Sequence, residues 1–483
     1  MMTIVSLLPL AATVALLASG RATALQAGLV GAALMAVAAA MALPDGTNAV
    51  PFLLLSGAEG AWLSAQIIVV IAGGLFFFLC AHRADGRDDG HRDKADPTTA
   101  YRRLFASCLL LGPFAESAMG FGVGVIVATA AALRLGARGV DAVVLALFSQ
   151  ALVPWGALAI GTMVGSALSG LPPELLGWWS AVLSVPLLAG YLMFFWRFAA
   201  HAGFRIGARQ GAIDGLWLAV AAALLVVANR ALATEIALIA AFGPVFLAHM
   251  LVHDRPVDAA AWRDAARRAA PYFALTLILI ATRTVPPLTA LLNLLVLKPF
   301  DGQPALAPFY NPGFWLFAIG AATLAAHGKG TALGHVLRDT ATRAWRPSAI
   351  TLVFVVMAQW MGASGIAVTL AEQAYAAFGV AALAASPVLA AMGGFLTGSN
   401  AVSNGMMMPI QAALGLRADL PEGFLASVQN TTGSNLTLLS PMRVAMGCAL
   451  AGAAITERDV YARAWPVGAF VLVAMILAVA VML

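Results

Sequence analysis

Charge is what this sequence lacks most. Acidic and basic residues together fill 10% of its 483 positions, where a soluble domain carries roughly 25%. So few charges cannot clothe a water-facing surface of this size, which excludes an ordinary soluble chain. Cysteine is almost absent too. Cys80, Cys108 and Cys448 stand in apolar runs at unrelated spacing, so a disulfide scaffold or thiolate metal site is excluded and three small buried hydrophobes remain. The seven histidines lie in or beside connecting loops at no metal-ligand spacing, and there is no Walker A sequence. Nor do His, Asp and Glu cluster as a membrane-embedded enzyme acting on lipid-linked substrates would require. No metal, cofactor, nucleic-acid partner or covalent catalysis is expected.

What is present is apolar length. Hydrophobic residues make up 61% of the chain, and a bilayer-spanning helix needs about 20 of them in a row. Full spans are expected to begin near residues 3, 23, 60, 140, 176, 211, 233, 271, 312, 347, 422 and 463. The run from Thr3 to Gly20 lacks the basic flank of a signal peptide, Arg21 following it instead, and reads as a retained first span. With the N-terminus outside, all but five of the 27 Lys and Arg fall near 21, 82–103, 134–138, 197–209, 252–268, 329–346 and 457–463; the exceptions are Arg230, Arg283, Lys298, Arg417 and Arg443. Short cytoplasmic loops collect Lys and Arg, so these segments are assigned to the cytoplasm and the chain to the cell inner membrane. The mixed-charge stretch 82–103 reads as a solvated linker.

Two apolar segments, 104–134 and 380–415, are broken in the middle by polar, Gly-rich clusters: Glu116-Ser117-Ala118-Met119-Gly120-Phe121-Gly122 and Thr397-Gly398-Ser399-Asn400 through Gly405. Both read as re-entrant helical hairpins, the first on the cytoplasmic side and the second outside. Each is followed by a span with paired polar residues and a proline: Ser149-Gln150 then Pro154, and Gln429-Asn430 then Pro441. Matching breaks of opposite membrane sense describe an inverted-topology transporter repeat. The expected fold is an all-α polytopic membrane protein with about twelve transmembrane helices and two re-entrant hairpins. Its divisions are a first repeat over 1–205, linking helices over 206–265 and a second repeat over 266–483. The segment 366–378, with Glu372 and Gln373, is expected to lie along the outer interface.

Glu116 is the acid this topology places deepest. A lone charge there costs several kcal/mol, so a group able to take up and release a proton is expected, and with it proton coupling; the bland reading is an acid that hydrogen-bonds the hairpin tip. Gly120, Gly122 and Gly124 suit a tip that exposes backbone amides, or simply close helix packing. Thr397, Ser399, Asn400, Ser403 and Asn404, with Gln429, Asn430, Thr431, Thr432, Ser434, Asn435, Thr437 and Ser440, are too polar for lipid and imply a water-accessible cavity. Free N–H groups at the helix breaks, and Arg443 after Pro441, would suit a carboxylate, unless Arg443 snorkels to the interface. Arg283, beside Pro286-Pro287, is a secondary candidate. Substrate contact is thus expected from Ser117, Gly120, Gly122, Ser149, Gln150, Thr397, Gly398, Ser399, Asn400, Asn404, Gln429, Asn430, Thr431, Thr432, Asn435 and Arg443.

These residues resemble the L-lactate permease family. FAESAMGFG (114–122) is similar to its first hairpin signature, GGFLTGSNAVSN (393–404) to its second, and Asn430-Thr431-Thr432-Gly433 with Ser440-Pro441 to the stretch that follows. Departures fall at Ser117-Ala118-Met119 and at Gly405 with Met406, Met407 and Met408. The resemblance implies an elevator-type ion-transporter fold and proton-coupled uptake of lactate or related 2-hydroxymonocarboxylates such as glycolate. Sodium coupling and another small organic anion form the alternative. A homodimer is compatible with either, whereas a passive channel would not need two occluding hairpins.

Overall fold

The computed structural model describes residues 2–85, 96–120, 122–256, 258–452 and 455–483. Residues 86–95 of the expected linker, and Phe121 at the first hairpin tip, lie outside the described residues. Helix formation follows from long apolar runs closed by ordinary caps. The chain opens with α1 (Met2–Ala18), α2 (Ala24–Ala42) and the 37-residue α3 (Ala49–Asp85). Thr23 and Gln26 form a reciprocal capping box ahead of α2. Next come α4 (Pro97–Phe105), a π-helical turn (Ala106–Leu111), α5 (Gly112–Met119) and α6 (Val123–Arg134). Asp96 caps α4 by accepting from the amides of Thr98 and Thr99. The π turn has a local cause. Pro113 lacks an N–H and its ring would strike the carbonyl of Leu109, so the ladder widens by one residue and Gly112 N–H reaches Ser107 O.

After α7 (Gly139–Leu147) the helix breaks over two short 3-10 turns and resumes as α8 (Gly156–Ser169), the two parts bent by 59°. The middle of the chain is α9 (Pro173–His201), α10 (Ala208–Ala231), α11 (Thr234–His253), α12 (Ala259–Thr284) and the short α13 (Pro286–Leu292). Then follow α14 (Pro312–Ala326), α15 (Leu333–Ala363) and α16 (Ile366–Phe378). The second half closes with α17 (Val380–Thr397), α18 (Asn400–Arg417), α19 (Phe424–Leu436), α20 (Pro441–Ala451) and α21 (Glu457–Val481). Among the described residues the only extended pairing is the antiparallel bridge between Leu297 and Leu306. Among the described residues seven helices are long and apolar enough to cross a membrane, and up to ten if each of three bent pairs counts as one span. Each of the twelve expected spans has a helix at its place. Several of those helices are short or broken by proline, so length and apolarity alone do not pass them. The three cysteines are free and buried, as expected of small hydrophobes.

Both broken segments fold back on themselves. α4 and α5 form one arm and α6 the return arm of the first hairpin, with Gly120 and Gly122 at φ +73° and +77° making the turn. α17 and α18 form the second, turning at Gly398 with φ +65°. The long-range contacts sort the loops into two ends of the bundle. Arg103 pairs with Asp254 at 2.5 Å, Arg102 Nε donates to Gln210 at 2.9 Å, Arg463 pairs with Asp141, and Lys329 donates to Arg83 O at 2.6 Å. At the other end Arg230 lies over Trp178, Arg417 over Tyr375, and Trp179 donates to Glu422 O. The feet of the first hairpin sit at the arginine-rich end and those of the second at the opposite end. The α16 segment departs from α15 by a 71° bend and buries Ile366, Ala367, Leu370 and Ala371 on one side while Glu372 stays exposed.

The second hairpin is seated by a backbone-to-backbone approach that only glycine permits. A Cβ at Gly394 of α17 would lie 1.7 Å from Gly433 O of α19. Gly394→Ala should therefore cost about 1–3 kcal/mol or more by overpacking. Gly215→Ala, whose nearest neighbour atom is 4.0 Å away, should be neutral or slightly stabilising because a helical glycine becomes alanine. Thermal unfolding of the two purified variants in one detergent checks the pair; equal midpoints would contradict this packing.

Candidate functional site

The site begins with the constraint on Glu116. It is 2% exposed, and a carboxylate at that burial must be surrounded by donors. Glu116 Oε1 accepts from Gly122 N at 3.2 Å, and Oε2 accepts from Gly124 N at 3.1 Å and from Gln150 Nε2 at 3.2 Å. Glycine at 122 and 124 is required by space as well as by conformation. A Cβ at Gly122 would lie 2.2 Å from the Met446 methyl, and one at Gly124 2.8 Å from Gln150 Nε2. The carboxylate thus lies on the N-terminus of α6, where the helix dipole favours an anion. Free amides were expected at this tip for a substrate. That expectation is corrected here, because the chain's own carboxylate accepts them.

The fourth partner comes from the other half of the chain. Arg443 Nη2 is 3.5 Å from Glu116 Oε1, and its Nη1 donates to Thr437 Oγ1. Arg443 is 4% exposed, so it does not snorkel. It stands in the first turn of α20, where the helix dipole disfavours a cation, which leaves Glu116 as its electrostatic anchor. Glu116 is therefore a paired acid that also hydrogen-bonds the hairpin tip. Ser117, Ser149, Gln150, Gly120 and Gly122 gather at this centre. Gln150 Nε2 also meets Ser149 Oγ at 3.2 Å, and a Cβ at Gly120 would lie 2.5 Å from that of Ala157.

Ala157, Leu158 and Ala159 adopt left-handed dihedrals, with φ of +50°, +56° and +58°. Such a conformation costs roughly 1–2 kcal/mol per residue for L side chains. Thr162 Oγ1 closes the turn onto Pro154 O at 2.6 Å, and Trp155 Nε1 ties it to Asn229 at 3.1 Å. Thr162 then leads into a second, neutral polar centre around Asn430. Asn430 Oδ1 accepts from Asn400 and Asn404, each at 2.9 Å, and its Nδ2 donates to Thr162 and Ser180, each at 2.9 Å. Asn404 also reaches Gly161 O at 2.8 Å, and Gln429 Nε2 reaches Ser403 Oγ at 3.1 Å.

The remaining expected residues divide. Thr397, Gly398 and Ser399 form the second tip; Ser399 caps α18, and a Cβ at Gly398 would lie 3.0 Å from Ser440 Oγ. Thr431 and Thr432 are fully buried on α19 without hydroxyl partners among the described residues, as are Ser117 Oγ, Asn400 Oδ1, Gln429 Oε1 and Ser440 Oγ. Asn435 instead accepts from Tyr191 at 2.8 Å. Arg283 is set apart, over the Tyr310 ring and donating to Tyr310 O at 3.0 Å. The expected equivalence of Ser149-Gln150 with Gln429-Asn430 shifts in register. Gln150 stands in the first break, beside Pro154, while Gln429 and Asn430 lie in the intact α19, since Pro441 breaks the second helix further on. Thr162, Ser180 and Tyr191 escaped the sequence reading because single hydroxyls on apolar spans carry no signal.

Residues 305–483 match the model of the L-lactate permease family. That permease match covers the second hairpin, α19 and Arg443, and it bears out the resemblance drawn from 393–404; the motif at 114–122 lies outside it. The crystal structure of the Alcanivorax borkumensis YdaH transporter shares the fold, with 14% identity, a TM-score of 0.50, and coverage of 91% of this chain and 89% of that one. No curated protein matches. The permease match covers 305–483 and the shared fold nearly the whole chain, both in keeping with a multi-pass membrane protein.

Asn430 holds four side chains at once. Asn430→Ala should leave Asn400 and Asn404 without their shared acceptor, at about 1–3 kcal/mol for each buried group left unpaired. Asn293→Ala, at an exposed position, should not change stability. A thermal shift of several degrees for the first and none for the second is expected.

Proposed function

We propose that this chain is a secondary active transporter that imports a small monocarboxylate of the lactate or glycolate kind together with a proton, with Glu116 as the coupling group. The observation that carries the reading is that one buried carboxylate already occupies a complete carboxylate receptor. Two backbone amides, the Gln150 amide and the Arg443 guanidinium surround it. A proton taken up by Glu116 removes the charge those donors hold, and the cargo carboxylate takes its place beside Arg443. On the cytoplasmic side the proton leaves, Glu116 reclaims the donors and the cargo is expelled. Two anions facing one buried arginine would repel each other, so cargo and proton move together.

In this reading the neutral centre around Asn400, Asn404, Gln429 and Asn430, with Thr397, Ser399, Thr431 and Thr432, receives the hydroxyl and carbon body of the cargo. About twelve crossings and two re-entrant hairpins form an inverted repeat over 1–205 and 266–483 joined by 206–265, and the hairpin-bearing unit moves as an elevator in the inner membrane. Hairpin feet at opposite bundle ends and the arginine-rich end support it. The second reading is sodium coupling, favoured by the unpartnered oxygens of Asn400, Gln429, Thr431, Thr432 and Ser440.

Uptake of labelled L-lactate, glycolate and pyruvate into proteoliposomes separates these. Accumulation should follow an imposed pH gradient, collapse with a protonophore, and be indifferent to replacing sodium with choline. Glu116→Gln should lose gradient-driven accumulation; if it accumulates cargo as well as the parent, the coupling assignment is wrong. Arg443→Gln removes a buried charge partner worth about 2 kcal/mol or more, so apparent affinity should fall ~30-fold.

A further inference from the structure

A cavity of about 540 Å³ opens at the arginine-rich end of the bundle, between the foot of the first hairpin and α11. Its walls carry Arg102, Arg103 and Arg134 against one described carboxylate, Asp254, which is held by Arg103 at 2.5 Å. His249 and His253 line the α11 side, their rings 4.7 Å apart. His249 is 3% exposed, and its Nε2 has no hydrogen-bond partner among the described residues. Leu111 and Phe246 also line the cavity. Leu111 lies five residues before Glu116, about 7.5 Å along the helix. Between them Phe114 rests on Gly243, where a Cβ would come within 3.1 Å of its ring.

We infer that this cavity is a second binding station for the transported carboxylate, on the cytoplasmic side of the Phe114–Gly243 contact. The inference rests on the transport reading above and names a site apart from the Glu116 centre. Its chemistry is complementary to a small anion with a short apolar body. Arginine charge in a partly enclosed space raises the local anion concentration, the His249 imidazole offers a buried hydrogen-bonding group, and Leu111 and Phe246 receive carbon. Space is ample for a hydrated anion, so the station is loose and exchanges with the cytoplasm. It gives the cargo an intermediate position one contact away from Arg443.

Ser107 lines the cavity and is half-buried, while the native cysteines are buried. In inside-out vesicles bearing Ser107→Cys, an anionic methanethiosulfonate should react about tenfold or more faster than a cationic one. Adding Arg102→Gln should lower that ratio. Millimolar L-lactate should slow the labelling, and should still do so in an Arg443→Gln background whose central receptor is weakened. Thr99→Cys, at the same wall, provides a second reporter should the first fail to fold. Equal or faster reaction with the cationic reagent overturns the inference. So does absence of protection by lactate, or protection that vanishes with Arg443→Gln. Protection by phosphatidylglycerol but not by lactate overturns it in favour of a lipid headgroup. Intact transport in Arg443→Gln would instead refute the central receptor and leave the cavity result standing.

Discussion

A carboxylate sealed inside an apolar bundle must be given donors from several directions, and the arrangement around Glu116 follows from that need. Its partners come from α6, from the break between α7 and α8, and from α20. These elements belong to opposite ends of the sequence, so the ion pair with Arg443 is also a tie between the two halves of the chain. Removing one member of such a buried pair is far more costly than never having built it, by about 3–5 kcal/mol, because the survivor is left uncompensated. Hence the same contact that positions the helices also limits what can happen at the centre. Whatever replaces Glu116 beside Arg443 has to be an anion.

The second polar centre obeys a different rule. Asn430 and its neighbours carry no charge, and the Asn430 amide itself makes four hydrogen bonds that link α8, α9, α18 and α19. A neutral network can open without leaving a buried ion behind. Several oxygens at its edge have no hydrogen-bond partner among the described residues. Charged and neutral centres are connected through the left-handed turn at Ala157–Ala159, which is stabilised from outside by Trp155, Thr162 and the close approach of Gly120. Strain in that turn persists only while those neighbours hold it.

Much of the fold was legible because apolar length and basic loops are strong signals in a membrane chain. Most helices fall where the apolar runs place them, and Gly120, Gly122 and Gly398 marked both tips correctly. The expected linker 82–103 is corrected, since α3 runs to Asp85 and α4 takes 97–105 with Tyr101 buried, and α13 was not read. The site was legible in its members and less so in its partnerships. Glu116 and Arg443 stand 327 positions apart, and nothing in local composition says that they face each other. The shift of Gln429 relative to Gln150 was hidden because polar pairs look alike whether they sit in a break or a turn before one; only the proline that follows decides. The cavity at the arginine-rich end was missed for a similar reason. Its arginines counted as loop charge, and His249 looked like a loop histidine until α11 was seen to carry it inside.

The π-helical turn at Ala106–Leu111 carries a consequence for the phase of the first hairpin. An α-helix advances about 100° per residue, and a π turn accommodates one extra residue without lengthening the arm. All side chains beyond it, Glu116 included, are rotated relative to the foot of the hairpin by that one insertion. Deleting a single residue there would restore a regular helix and leave the hairpin's outline intact, yet it would swing the carboxylate about a quarter of the way around the helix, out of line with Arg443. The orientation of the buried acid is thus set by a π turn that ends five residues before it and that Pro113, less than one turn away, imposes.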